Sequence, residues 1–208
     1  MDVPLVNLDP LLQLALLGIV IALGPLAWVW ARTRGADGSR RLQVLTLLTL
    51  FLTFDLVLFG AFTRLTDSGL GCPDWPGCYG SASPLGAREA IQAEQEVRPS
   101  GPVTHGKAWI EMIHRYLATG VGVLIVAMTL LSWQAARAAR REGRAPTRSP
   151  WWATATLVWV CIQGAFGAWT VTLKLYPAIV TAHLLGGLAL LALLAAQAWG
   201  GGVRVEVG

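Results

Sequence analysis

Two histidines inside long apolar segments are the residues of this sequence best suited to chemistry. His114 and His183 each lie six residues past the start of an apolar segment, at 108–134 and 177–199. At 1.5 Å per residue, each imidazole is expected roughly 9 Å below the outer membrane boundary. Two imidazoles at one depth on two helices can face each other across a bundle, which is how a haem iron is held between axial ligands. A single intramembrane histidine would instead favour an interhelical hydrogen bond.

Small residues beside the histidines fit a haem pocket. Gly186 and Gly187 lie three and four residues after His183, and Ala118 lies four residues after His114. Residues at this spacing share one face of a helix. We therefore expect these positions to leave room for a porphyrin plane.

Charged residues near the outer helix ends complete the predicted site. Arg64 and Arg115 are expected to bind the haem propionates, because a guanidinium matches a carboxylate. Glu111 lies three residues before His114, on the same face, and a carboxylate inside a membrane is costly unless it is paired or functional. Two interpretations stay open for it: a salt bridge to Arg64 or Arg115, and a proton-handling or substrate-orienting acid beside the haem.

Five apolar segments are available to position these residues. The mean hydropathy is +0.55, and 54% of the residues are hydrophobic while only 13% are charged. A soluble domain needs a more polar surface, so the composition predicts an all-α integral membrane protein. Each segment is long enough to cross a bilayer: 10–31, 43–64, 108–134, 151–173 and 177–199.

The arginines predict the orientation. Segments 31–42 and 135–150 carry most of the basic residues behind the net charge of +4, so they should be cytoplasmic. The first ten residues contain Asp2 and Asp9 but no Lys or Arg, and loop 65–107 is net acidic. Both are therefore expected outside, with the C-terminus inside. Membrane topology accounts for the basic residues, and nothing in the sequence suggests nucleic-acid binding.

Cys72 and Cys78 lie in the outer loop, separated by five residues that include two prolines and a glycine. A tight turn could bring their Cα atoms into disulfide range, on the side of the membrane where a disulfide persists. A structural staple for the loop and a redox-active pair both remain open. A metal site is disfavoured, because no histidines cluster with the two cysteines.

Three stretches together resemble the haem A synthase family of bacteria, most closely its proteobacterial members. They are "GAFTRLTDSGLGCPDWPGC", "WIEMIHRY" and "QGAFGAWTVTLKLYPAIVTAHLLGG", and they run from about residue 60 to 187. The resemblance implies an enzyme that oxidises the C8 methyl of haem O to a formyl group for cytochrome oxidase. It also implies that His114 and His183 hold the substrate haem, that Glu111 is the implicated acid, and that Cys72 and Cys78 form a disulfide near the site.

The resemblance further implies the organisation of the chain. Helices two to five form the four-helix haem-binding bundle, 43–199, with outer loop 65–107. Segment 1–42 adds an N-terminal helix and a cytoplasmic loop, and 200–208 is a cytoplasmic tail. Family members have a second bundle that holds haem B. Here that half would come from a second copy, a separate polypeptide or the rest of a longer gene. The expected location is the bacterial inner membrane, with haem O synthase and cytochrome oxidase assembly factors as partners.

Two other functions compete with this one. A quinone-linked thiol–disulfide oxidoreductase also uses a small helical bundle with outer cysteines, but it normally carries a Cys-x-x-Cys pair and gives the histidines no role. A non-catalytic b-type haem protein for electron transfer explains the histidines, but it explains neither Glu111 nor the outer loop.

Overall fold

The computed structural model describes residues 5–146 and 148–199, and the regular elements of that part of the chain are six α-helices. The prediction of an all-α integral membrane protein is confirmed, with five helices long and apolar enough to span a membrane. The predicted tail, 200–208, lies outside the described residues. The helices are α1 (Leu11–Arg32), α2 (Gly38–Leu65), α3 (Arg88–Val97), α4 (His105–Arg141), α5 (Pro150–Thr172) and α6 (Pro177–Trp199).

α4 extends well beyond its apolar segment at both ends. The segment predicted at 108–134 is the middle of the 37-residue α4. α4 begins after Thr104, whose hydroxyl accepts a hydrogen bond from the Lys107 backbone N–H (3.2 Å). It continues through an Ala- and Arg-rich stretch, since these residues favour helix whether or not they lie in a membrane. Part of the predicted 135–150 loop is therefore helical, and the connection to α5 is short.

Four helices form the bundle. α2, α4, α5 and α6 pack in a closed ring in that order. Within the described residues, no Cα atoms of the diagonal pairs, α2 with α5 and α4 with α6, lie within 8 Å of each other. Leu45, Leu124, Ile125, Met128 and Leu194 are among its buried core residues. We call the end where α4 and α6 begin the loop end, and the opposite end the arginine-rich end.

α1 lies outside this ring and packs along α4, with a smaller contact to α2. Two glycines allow the close approach. A Cβ on Gly18 would lie 2.4 Å from Thr119 Cγ2, and one on Gly120 would lie 2.9 Å from Ile21 Cγ2. Small residues at a helix crossing let two backbones come together, which is the main source of packing energy within a bilayer.

The segment between α2 and α4 folds into a cap on the loop end, 66–104, which we call the outer cap. It contains α3 and has its own apolar core with residues of α1 and α4. Its backbone pairs with the N-terminal segment through hydrogen bonds from Asn7 N–H to Trp75 O and from Trp75 N–H to Leu5 O, both 3.0 Å. The outer cap is thus held in place by tertiary contacts.

Candidate functional site

The two predicted histidines lie on diagonally opposite helices of the bundle. His114 is on α4 and His183 on α6. Since α4 and α6 are separated by the width of the ring, their inward-facing side chains can approach a common centre without helix contact. The fold therefore allows the two residues that the sequence singled out to face a common centre.

Glycine contacts put the two imidazoles at about the same height in the bundle. Gly187 is level with Val57 of α2, because a Cβ on Gly187 would be 3.5 Å from Val57 Cγ2. His183 is four residues nearer the loop end than Gly187, about 6 Å along the axis. The same displacement along α2 from Val57 ends within one residue of Gly60. His114 lies against Gly60, where a Cβ would be 3.0 Å from His114 Cε1.

Glycines occupy the other two corners of the ring beside the histidines. Gly60 on α2 faces the His114 ring, and Gly167 on α5 faces the His183 ring, with a Cβ there 3.5 Å from His183 Cε1. Phe59 adds an aromatic face almost parallel to the His114 ring, with centroids 6.3 Å apart and an interplanar angle of 9°. The small residues that shape the centre of the site therefore come from α2 and α5 as well.

The expectation that Gly186 leaves room for a porphyrin is wrong. The Gln163 side chain of α5 fills that space, because a Cβ on Gly186 would lie 2.0 Å from Gln163 Nε2. The Gly186 carbonyl also accepts a hydrogen bond from Trp159 Nε1 (2.9 Å). Gly186 serves the packing of α5 on α6. Gly60 and Gly167 were not predicted as site residues. The sequence offered one signal for them, because each is a glycine on a neighbouring helix at about the depth of the histidines.

The imidazoles carry unpaired polar atoms. Nδ1 of both His114 and His183 is buried and has no hydrogen-bond partner among the described residues. Buried nitrogen atoms in folded proteins are nearly always paired, so two unpaired imidazoles at one site suit residues that bind a ligand. Two imidazole donors at one height, with glycines rather than larger side chains at the neighbouring corners, fit a haem with two axial histidines.

Glu111 is buried one helical turn from His114, and both of its carboxylate oxygen atoms have partners. Its side chain forms a salt bridge with Arg115, and its Oε2 accepts a hydrogen bond from the Cys72 backbone N–H (2.9 Å). Of the two salt bridges left open by the sequence, the structure has the one to Arg115. Arg115 also donates to the backbone carbonyls of Asp74 and Pro76, both at 3.1 Å, and Gly77. The pair therefore joins α4 to the outer cap.

The disulfide between Cys72 and Cys78 is present, with Cα atoms 4.9 Å apart. Both cysteines have 0% exposure, so an attacking thiolate has no access to the sulfur atoms and a structural role is favoured over a redox-active one. The cap also approaches α4 closely at Gly71, where a Cβ would lie 2.5 Å from the Lys107 carbonyl carbon. Only glycine fits there without moving the backbone.

The buried carboxylate inside the cap has hydrogen-bond partners. Asp74 has 0% exposure and accepts hydrogen bonds from the backbone N–H groups of Tyr79 (2.6 Å) and Gly80 (2.8 Å). Burial, followed by the nearby carboxylates of Glu94 and Asp74, raises the pKa of Tyr79 above its ordinary value. The phenol therefore stays protonated at neutral pH and adds no charge to the cap.

Two charged residues lie outside this network. Arg64 is exposed near the loop end of α2, and no other described residue accepts a hydrogen bond from its side chain. Asp55 is exposed near the middle of α2, on the surface that carries Phe51 and Leu58. The structure thus places Arg64 near the end of the bundle that carries the histidines and leaves Asp55 apart from the site.

The fold and the site together define a class: a multi-pass helical membrane protein with a bis-histidine site under an ordered cap. The comparisons with known proteins then identify the family. A sequence model of the COX15-CtaA family, described as cytochrome oxidase assembly protein, matches residues 43–204. The chain belongs to this family. The match begins within α2, so α1 precedes it.

Individual relatives agree with the family assignment. A protein of Shewanella oneidensis named haem A synthase is 42% identical over 147 residues, which cover 71% of this chain and 42% of the relative. A haem A synthase of Caulobacter vibrioides is 30% identical over 191 residues, covering 82% of this chain and 54% of the relative. One from Rhizobium etli is 33% identical over 134 residues, covering 59% and 35%.

The chain spans about half or less of the length of the curated relatives it matches. No solved structure gave a significant match.

Proposed function

We propose that this chain is the substrate-haem half of a haem A synthase, which oxidises the C8 methyl of haem O to a formyl group. The relatives carry that name. The observation that supports the proposal most strongly is the pair of imidazoles, level with each other on opposite helices, with unpartnered nitrogen atoms. A haem with two axial histidines gives both side chains a role that no other described contact supplies.

His114 and His183 hold the haem iron in this proposal and fix the macrocycle between α4 and α6. Arg64, exposed near the loop end, binds a propionate, since a guanidinium and a carboxylate pair well at a membrane surface. The hydrogen bonds of Arg115 are occupied by Glu111 and the cap carbonyls. Arg115 therefore adds positive charge beside the haem edge while it holds the cap in place.

Glu111 is the proposed acid of the site. It is the titratable carboxylate nearest to His114 along α4, one turn toward the cap, and it is 4% exposed. A carboxylate held by a guanidinium can take up a proton from a reacting group and return it, with the cap excluding bulk water. With water as the source of the oxygen atom, conversion of the methyl group to a formyl group releases four electrons and four protons. The haem B of the family's second half would be the acceptor for the electrons.

The proposed location is the bacterial inner membrane, with the cap and the N-terminus on the periplasmic side and the arginine-rich end in the cytoplasm. Haem O comes from the enzyme that makes it, and the product passes to the assembly of cytochrome oxidase. The second half is supplied by another copy of the chain, by a separate polypeptide or by the remainder of a longer protein.

Haem binding by the two histidines is the first test. The purified chain should retain haem O with a Soret band, and His114→Ala or His183→Ala should each abolish stable binding because one axial ligand is lost. His105→Ala is the matched control, since it removes the third histidine, at the first residue of α4. Unchanged haem content in both site variants would remove the ligand assignment and the proposed function with it.

The role of Glu111 is tested separately, in membranes of a strain that lacks its own haem A synthase. Glu111→Gln keeps the shape of the side chain and an acceptor for Cys72 N–H. We expect normal haem O content but conversion to haem A lowered about 100-fold or more, the usual loss when an acid–base group is removed. Extracted haems are counted by mass. Conversion equal to that of the unaltered chain would leave Glu111 as a structural residue. Binding without any conversion by the unaltered chain, once the family's second half is supplied, would favour a b-type haem protein.

A further inference from the structure

The arginine-rich end of the bundle contains a cavity that the proposed haem site does not use. It has a volume of about 350 Å³ and is lined by residues of α2, α4, α5, α6 and the connection before α5. This volume is at the lower end of the range found for small-molecule sites. His114 lies 18 residues before Ser132, the residue that α4 contributes to the cavity wall, which is roughly 27 Å along the helix. The cavity is thus separate from the histidines.

A half-buried cation lies at this cavity. Arg148 donates one hydrogen bond, from Nη1 to the Gln197 carbonyl at the end of α6 (3.0 Å), and no carboxylate among the described residues pairs with it. A guanidinium has five N–H donors, so most of its hydrogen-bonding capacity is left unused. Burial lowers the pKa of Arg148 from its ordinary value, although a guanidinium stays charged at any physiological pH.

The rest of the cavity wall has a polar part and an apolar part. Ser132, which is 5% exposed, adds a hydroxyl to the cavity wall. Leu42 and Met128 form an apolar wall, and Trp152 places an indole at the same cavity. A ligand that suits these walls has an anionic head for Arg148 and a small apolar part for the interior.

We propose that this cavity binds the phosphate headgroup of an anionic phospholipid, with Arg148 on the phosphate and the start of the lipid's apolar part inside the bundle. Phospholipid phosphates lie at the ends of transmembrane helices, and Arg148 lies two residues before α5 and beside the end of α6. Basic pockets between transmembrane helices are known sites for anionic headgroups. Arginine pairs with phosphate through parallel N–H bonds, which gives geometry as well as charge.

The test measures how much phosphatidylglycerol the full chain retains after purification and delipidation, by native mass spectrometry. Arg148→Gln should lower retention about tenfold, the effect of losing a charge-assisted hydrogen bond. Arg144→Gln is the matched control. It lies four residues earlier in the same connection, is exposed, and is paired with Glu142, so retention should be unchanged.

A second variant tests the cavity without touching the cation. Ser132→Leu fills the interior from α4, and it should also lower retention. Unchanged retention in this variant would place the lipid on the protein surface and overturn the cavity site. The proposal is equally overturned if Arg148→Gln retains as much lipid as Arg144→Gln, or if the unaltered chain retains phosphatidylcholine equally well. Displacement of the lipid by millimolar inorganic phosphate would overturn the lipid assignment in favour of free phosphate.

Discussion

The charged residues at the two ends of the bundle differ in burial and pairing. At the loop end, several charged residues are buried and paired. Glu111 forms a salt bridge with Arg115 beside the cap, and Asp74 accepts hydrogen bonds from backbone N–H groups. At the arginine-rich end, the described arginines are mostly exposed; Arg41 and Arg148 are half-buried, and Arg148 borders a cavity. Burial and pairing at the loop end fix the geometry around the histidines. Exposure at the opposite end leaves charge available to the membrane surface.

The strongest way to break this contrast is to unpair the buried charges. Glu111→Leu leaves the Arg115 guanidinium buried without its carboxylate, and we expect a loss of about 3–5 kcal/mol in the free energy of unfolding. Thermal unfolding in detergent measures it. Lys107→Met is the control, because its partner Asp67 (3.2 Å) is 72% exposed and the pair should contribute only about 0–1 kcal/mol. Equal losses in the two variants would show that burial does not distinguish the pairs.

Removing the covalent link in the cap should have the next largest effect. The double variant Cys72→Ser, Cys78→Ser frees a loop closed over a sequence separation of 6, which corresponds to roughly 2–3 kcal/mol of unfolded-state entropy. We expect earlier proteolysis within the cap and a lower unfolding temperature. Cys161→Ser, at an exposed free cysteine, should leave both unchanged. A double variant as stable as the Cys161 control would mean that packing alone holds the cap.

The smallest effect is predicted at the arginine-rich end. Arg41 lies over the Trp30 ring, 4.3 Å from its centroid, and also donates from Nε to Thr33 Oγ1 (3.3 Å). Arg41 is half-buried, so Arg41→Gln should cost about 1 kcal/mol, the size of a cation–π contact that is only partly desolvated. Arg40→Gln, on an adjacent exposed residue, gives the background. If Arg41→Gln cost as much as Glu111→Leu, the contrast between the two ends would be wrong.

The confirmed predictions depended on local properties of the chain. A run of apolar residues is recognisable in one dimension, so all five spanning helices were found, and the end residues predicted for α5 and α6 are within one residue of those observed. The five-residue spacing allowed the disulfide between Cys72 and Cys78, and the family resemblance implied it. The length of α4 was underestimated, because hydropathy reports the membrane interior while helix propensity continues beyond it.

The errors and gaps involve contacts between helices. Which residue fills the space beside Gly186 depends on how α5 is rotated about its own axis, and that rotation points Gln163 there. The same holds for Gly60 and Gly167, which lie against the histidines, and for the choice of Arg115 over Arg64 as the partner of Glu111. Rotation and tilt are set by packing against neighbours rather than by hydrophobicity.

The amino-acid sequence alone therefore determined which segments enter the membrane and which rare polar residues enter with them, because the cost of placing a charge or an imidazole in a bilayer is a property of single residues. The tertiary structure alone decided which of those residues meet. It set two histidines at one height on opposite helices, placed glycines against their rings and tied the cap to α4 through Glu111 and Arg115. Contacts between residues distant in sequence arise from the packing of whole helices, and no single segment encodes that packing.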